Sequence, residues 1–200
     1  MSRLTPKKSS AMTPDEILQT LRLFRTADAI AAGVSQPTLW RLVESGVVTR
    51  VDNGIFLHSK TQHPENFEFV LARMRVGAGT LVGGLTALFY YQLIEQVPEQ
   101  TWLILPRSNR GTFLNYKIIR TKRDPTLEID DHGNWQMVNI ERAIIEAFRY
   151  ATKIGLQIAL EAARTAISES KTSESKLLKA AKNLNMRPVL LRHWEAITTK

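Results

Sequence analysis

Residues 26–57 read TADAIAAGVSQPTLWRLVESGVVTRVDNGIFL, and the order of elements in this stretch decides the front of the fold. Thr26 can open a helix by offering its hydroxyl to the amides of Asp28 or Ala29. Ala27, Ile30 and Ala31 then suit a close helix crossing, and Gly33 stops the helix where a left-handed backbone is needed. A second helix starts at Ser35 or Gln36, with Pro37 in its first turn, where a missing N–H costs no hydrogen bond. Leu39, Leu42 and Val43 form its inward stripe, while Pro37, Arg41 and Glu44 point the other way, flanked by Trp40 and Thr38. Gly46 closes it. Residues 47–50 and 55–58 read as short strands joined by Asp52-Asn53-Gly54, and Asn-Gly is a strong hairpin signal. Helix, tight turn, helix and hairpin predict a winged helix-turn-helix, a module that sets one helix into the major groove of DNA.

Working outward, Thr13-Pro14-Asp15-Glu16 carries a cap, a first-turn proline and a Glu three residues after the cap, so a helix starts there. Ile17, Leu18, Leu21 and Phe24 follow at helical spacing. Residues 1–11 are basic and lack the apolar run of a secretory signal, so they read as a flexible tail. The polar stretch 58–64 reads as a connector, which places the module over residues 12–60 and a second domain over 61–200. In that domain the pattern predicts helices over 64–75 (with Phe67, Val70 and Leu71 inward), 85–93, 140–150, 155–168, 174–183 and 188–197. Strands are predicted over 102–105, 116–120 and 135–138, with Asp130-Asp131 in a loop. The expected class is α+β: an N-terminal winged helix-turn-helix, then a mixed α/β domain with a small sheet and C-terminal helices.

The 200 residues are 44% hydrophobic, as in an ordinary globular protein, and carry 27 Lys+Arg against 19 Asp+Glu. The resulting +8 charge favours a phosphate-bearing partner through counterion release. The first 60 residues hold eight Lys+Arg against five Asp+Glu, so the front module does not carry this charge alone. A second basic segment, residues 107–123, contains Arg107, Arg110, Lys117, Arg120, Lys122 and Arg123 and no acid. It suits either a face that meets phosphates or a solvated edge whose charges block sheet-to-sheet pairing. Cysteine is absent, which excludes disulfides, thiolate nucleophiles and Cys-based zinc sites and is compatible with a cytoplasmic location. No apolar run approaches the roughly 20 residues that span a bilayer, so no membrane role is expected.

Within the module, Arg41 has the donors to read guanine O6 and N7. Gln36 and Thr38, following the cap Ser35, occupy the first turn, the part of such a helix that enters the groove. Arg25 and Thr26 sit where a helix terminus favours a phosphate. Arg50 and Asn53 lie on the hairpin. Trp40 is expected to pack against that hairpin rather than stack on a base.

The segment SQPTLWRLVESGVVTRVDNGIF resembles the AbiEi-type antitoxins of type IV toxin–antitoxin systems. Ser35, Leu39, Trp40, Arg41, Leu42, Val43, Gly46, Gly54 and Phe56 fall on the family's pattern of a cap, a Leu-aromatic-Arg-Leu-Val core, a Gly, and a hairpin ending in Gly-hydrophobic-aromatic. The resemblance continues through LVGGLTAL at 81–88, TWLILP, the basic segment and NIERAIIEAF, in the family's order. Gly83 stands where a Ser is commoner, Asn139-Ile140-Glu141-Arg142 replaces Ser-Pro-x-Arg, and Glu146 replaces an Asp. The resemblance implies a repressor that binds inverted repeats in double-stranded DNA near its own promoter. It also implies that the second domain counters a nucleotidyltransferase-like toxin, with no stable complex required. A stand-alone winged-helix regulator and a protein-interaction module are the alternatives.

Enzymatic chemistry is not expected. A metal-dependent nuclease needs an Asp on one strand and a Glu-x-Lys on the next. Here Glu174-Ser175-Lys176 opens a predicted helix. His58, His63, His132 and His193 lack ligand spacing, and His58 and His63 read as linker residues. Gly77-Ala78-Gly79 and Gly83-Gly84 are followed by no Gly-Lys-Ser/Thr, and no Gly-x-Ser-x-Gly elbow occurs. No metal or cofactor is therefore expected. Arg142 and Glu146, four apart on one helix face, read as an ordinary surface or interdomain ion pair.

Overall fold

Thr13 caps the first helix, α1 (Pro14–Leu21), in the reciprocal way its sequence requires: its amide donates to Glu16 Oε2 (2.7 Å) and the Glu16 amide donates to Thr13 Oγ1 (3.3 Å). These positions come from a computed structural model that describes residues 12–199, so the expected tail over 1–11 lies outside the described residues. The class is α+β, and the chain forms two units that part between Glu65 and Asn66. No helix among the described residues is long and apolar enough to cross a membrane.

In the first unit α1 ends sooner than its apolar spacing suggests. Arg22 takes φ 62°, and residues 23–25 form a strand, β1 (Leu23–Arg25). Phe24 thus belongs to a sheet rather than to the face of α1, and it stacks on Phe56 with ring centroids 5.9 Å apart. The next helix, α2 (Thr26–Ala31), is capped by Asp28, whose Oδ2 accepts the Arg25 amide at 2.8 Å, and not by the Thr26 hydroxyl. Its buried residue is Ala29, while Ala27, Ile30 and Ala31 face outward. Gly33, at φ 91°, turns the chain into α3 (Gln36–Glu44), which Ser35 caps. Strands β2 (Val48–Asp52) and β3 (Ile55–His58) make the hairpin. It has an irregularity between Arg50 and Asp52, and Gly54 at φ 67° supplies its turn. The sheet order is β1-β3-β2, all antiparallel. Leu18, Phe24, Ala29, Val34, Leu39, Val48 and Phe56 form the core, with Leu42 and Val43 packed against it. His58 is no linker residue. Its side chain is fully buried and bonds Asp15 of α1 at 2.8 Å, tying the first helix to the last strand.

The second unit opens with α4 (Phe67–Val76), whose buried residues are Phe69, Val70 and Ala72 instead of Phe67 and Leu71. Then come β4 (Leu81–Val82), α5 (Gly84–Tyr90), β5 (Thr101–Pro106), β6 (Tyr116–Thr121), β7 (Ile129–Asp131) and β8 (Gln136–Val138). The sheet order is β6-β5-β4-β8-β7. Pairs β5–β6 and β4–β8 are parallel, while β4–β5 and β7–β8 are antiparallel. Two strands were not evident from pattern: β4, only two residues long, and β7, which takes Asp130-Asp131 out of the expected loop. The helices α6 (Ile140–Arg149), α7 (Ala151–Ile154), α8 (Leu156–Ser168), α9 (Glu174–Asn183), α10 (Arg187–Leu191) and α11 (Trp194–Thr198) complete the unit. Seven consecutive residues of α6, Arg142 to Phe148, are buried, so this helix lies at the centre. Ala159, Ala162, Ala163 and Ala166 of α8 are wholly buried, and small side chains of this kind permit close packing of helix on helix.

Candidate nucleic-acid interface

The outward face of α3 carries a hydrogen-bonded row at helical spacing. Ser35 Oγ lies 2.9 Å from Thr38 Oγ1, and Thr38 Oγ1 accepts from Arg41 Nη2 at 3.1 Å. Ser35 Oγ also accepts the Thr38 amide, so one hydroxyl both caps the helix and anchors the row. The row holds the Arg41 guanidinium along the helix while leaving most of its five donors for another acceptor. Gln36, Pro37, Trp40 and Arg41 are exposed on this surface, with Leu39 turned into the core beneath. Trp40 meets Phe56 of β3 edge-on, centroids 6.1 Å apart, and stays 42% exposed, which seats the helix against the hairpin as the sequence suggests.

The hairpin tip is braced from within. Arg50 donates through Nη2 to Asn53 Oδ1 (2.7 Å) and through Nε to the Asp52 carbonyl (3.2 Å), and the Asn53 amide donates to Asp52 Oδ1 (2.6 Å). Arg50 and Asn53 are both exposed, so this loop presents a fixed cation. Arg25 and Thr26 are placed differently from expectation. The Thr26 amide donates to the Gly54 carbonyl at 3.0 Å, and the Arg25 amide is held by Asp28. The Arg25 and Thr26 amides thus serve the fold, and the Arg25 side chain is exposed.

The basic segment of the second unit does not form one stripe. Successive residues of a strand face opposite ways. Arg120 and Ile118 share one face of β6 with Arg107, Arg110 and Lys153, the last a residue with no local sequence signal. Lys117 faces the other way, its Nζ 5.8 Å from the centre of the Trp102 ring. Arg123 turns inward, donating through Nε to the Leu184 carbonyl (3.2 Å). Burial and the neighbouring Arg149 lower its pKa. Lys122 is exposed at the end of the strand.

No family model matches the sequence, and no curated protein matches it. Among solved structures the chain is similar to the crystal structure of the RV2827C protein from Mycobacterium tuberculosis, with a TM-score of 0.57 at 12% identity. The match covers 90% of this chain and 74% of the other. At that identity the likeness is one of fold.

Elsewhere the sequence expectations meet different surroundings. Arg142 and Glu146 are no surface pair: they are 0% and 2% exposed and joined at 3.1 Å. Arg142 Nη1 also donates to the carbonyls of Leu127 (2.5 Å) and Asp124 (3.4 Å), so the pair fastens the 122–128 segment to α6. Burial raises the pKa of Glu146 against the lowering pull of Arg142. Asp130 accepts the Tyr91 hydroxyl at 2.6 Å, and Glu174 and Lys176 lie in the first turn of α9. His132 stacks on Trp135 with centroids 3.8 Å apart, and His193 stacks on Phe148.

Proposed function

We propose that the first unit is a winged helix-turn-helix and that the chain is a sequence-specific DNA-binding repressor. The observation that carries this is the Ser35–Thr38–Arg41 row on the exposed face of α3, beside a hairpin whose tip holds Arg50. An α-helix with its side chains is about 10–12 Å across, and a major groove about 12 Å wide admits it. In this role Arg41, Gln36 and Thr38 read base edges. Arg50, Asn53 and the Arg25 side chain meet backbone phosphates.

The resemblance to AbiEi-type antitoxins extends the proposal: the protein represses its own operon in the cytoplasm and counters a nucleotidyltransferase-like toxin. The likeness of fold to the RV2827C protein over 90% of the chain is compatible with a two-unit architecture of this kind but carries no function across.

The test is binding of the purified protein to about 200 base pairs upstream of its own gene, against unrelated DNA, at two salt concentrations. Promoter-selective binding is expected, with Arg41→Ala costing about 1–3 kcal/mol and relaxing the preference. Equal and strongly salt-dependent binding to both DNAs would refute it. Rescue of growth when the chain is co-expressed with a nucleotidyltransferase-like toxin tests the antitoxin role separately.

A further inference from the structure

Parallel neighbours β5 and β6 are joined by residues 107–115 alone, with no crossover helix. A parallel connection ordinarily takes a dozen or more residues, and this one uses nine, which reach roughly 30 Å at most against a return of roughly 17 Å. It is also pinned. Arg120 donates through Nε to the Asn109 carbonyl (3.0 Å) and through Nη2 to the Gly111 carbonyl (2.7 Å). The Arg107 amide donates to the Thr121 carbonyl at 3.0 Å, and the Gly111 amide to Asn109 Oδ1 at 3.0 Å.

Between this loop, β6 and α7 lies a cavity of about 670 Å³, lined by Arg107, Arg110, Ile118, Arg120 and Lys153. No carboxylate lines it. Arg107, Arg110 and Lys153 are exposed and make no ion pair or side-chain hydrogen bond with the described residues. Four cations around one hollow repel one another, and the repulsion is relieved by an anion. Guanidinium forks match phosphate oxygens two at a time. The single apolar wall, Ile118, offers no ring on which a base would stack, so the hollow selects for negative charge.

We infer that this cavity binds a compact oligophosphate, the chemistry shared by the di- or triphosphate tail of a nucleotide and free inorganic polyphosphate. It lies wholly in the second unit and does not depend on the DNA reading of α3.

The experiment is calorimetric titration of the full chain with tripolyphosphate, ATP and sulfate at about 0.15 M salt, where exposed charges are screened beyond about 8 Å. Saturable one-to-one binding of tripolyphosphate is expected, with sulfate at least about tenfold weaker. Arg107→Ala and Arg110→Ala together should weaken it by about tenfold for each cation removed. Lys117→Ala, on the opposite strand face, should leave it unchanged. Equal affinity for ATP and tripolyphosphate supports recognition of the tail alone. Tighter ATP identifies the nucleotide as the source, and weaker ATP the inorganic chain. The inference is overturned by absence of saturation, by full affinity in the double variant, or by an equal loss in Lys117→Ala. It also fails if only random duplex DNA responds to the double variant, which would make these cations a track for nucleic-acid backbone.

Discussion

Replacing Arg142 by Ala isolates the energetics of the second unit's centre. The guanidinium is fully buried and holds three acceptors: Glu146 Oε1 at 3.1 Å and the carbonyls of Leu127 and Asp124. Truncation leaves the Glu146 carboxylate inside the protein without its partner, and removing one member of a buried pair costs about 3–5 kcal/mol. Against a total stability of about 5–15 kcal/mol, that is a large loss. Arg142 Nη2 and Glu146 Oε2 have no hydrogen-bond partner as it is, so the pair is not an optimal solution to burial. Arg142→Met with Glu146→Leu should therefore recover most of what Arg142→Ala loses. Urea unfolding followed by tryptophan fluorescence in a Trp40→Phe background reports the second unit, because Trp102, Trp135 and Trp194 all lie there. The pH dependence provides a second check. Burial raises the folded pKa of Glu146 above its ordinary 4.5, so the folded state binds the proton more readily than the unfolded one. Stability therefore falls as pH rises from about 4.5 through the folded value, and Glu146→Gln removes that slope. A loss below about 1 kcal/mol for Arg142→Ala, the range of surface pairs, together with parallel pH profiles for wild type and Glu146→Gln, would refute the reasoning.

Other expectations follow from single contacts. A Cβ at Gly83 would overlap Ile104 Cδ1 and lie 2.8 Å from its Cγ1, and Ile104 is 1% exposed with little room to swing. Gly83→Ser should thus cost about 1–3 kcal/mol in thermal unfolding, despite the serine common at this position in the resembling family. The bond from His58 holds the Asp15 carboxyl below its ordinary 3.8. Its contribution is complete above that value and lost as pH falls through the lowered folded one, so His58→Ala should flatten the acid limb of the first unit's unfolding curve. Arg50→Ala should weaken binding to all DNA sequences alike and reduce the salt slope by about 1, whereas a change in sequence preference would place Arg50 at the bases.

The front of the chain was legible because its instructions are local. A capping box, a first-turn proline, Gly33 and Asn-Gly each act within four residues, and α3 and the hairpin stand where these signals put them. Where two signals compete, the structure departs from the simpler local pattern. The Leu21–Phe24 spacing continues a helical stripe, yet Phe24 is fixed by antiparallel pairing with Phe56, a partner distant in sequence. Likewise the Thr26 hydroxyl is an ordinary cap, and the Asp28 carboxylate took the task from the other side of the turn. The hairpin also claimed the Thr26 amide through Gly54, which removed part of the expected phosphate site for a reason that no window around residue 26 contains.

The second unit hid what depends on distant partners. Strand β4 has two residues and no periodicity to detect, and the hollow of Arg107, Arg110, Arg120 and Lys153 needs α7 to complete it. Within the basic segment 107–123, strand alternation by itself separates Lys117 from Arg120. The buried ion pair is a different kind of case, because the local pattern points to the surface. Arg142 and Glu146 sit four apart, as many surface pairs do, and Ala143, Ile144, Ile145, Ala147 and Phe148 fill the positions between and after them. Those five residues span about 200° at 100° per residue, and Arg142 and Glu146 both fall in the remaining gap, the side that such a pattern gives to solvent. What covers that side lies outside the helix: the Leu127 and Asp124 carbonyls accept from Arg142, so a segment at least 15 residues away supplies the acceptors a buried guanidinium needs.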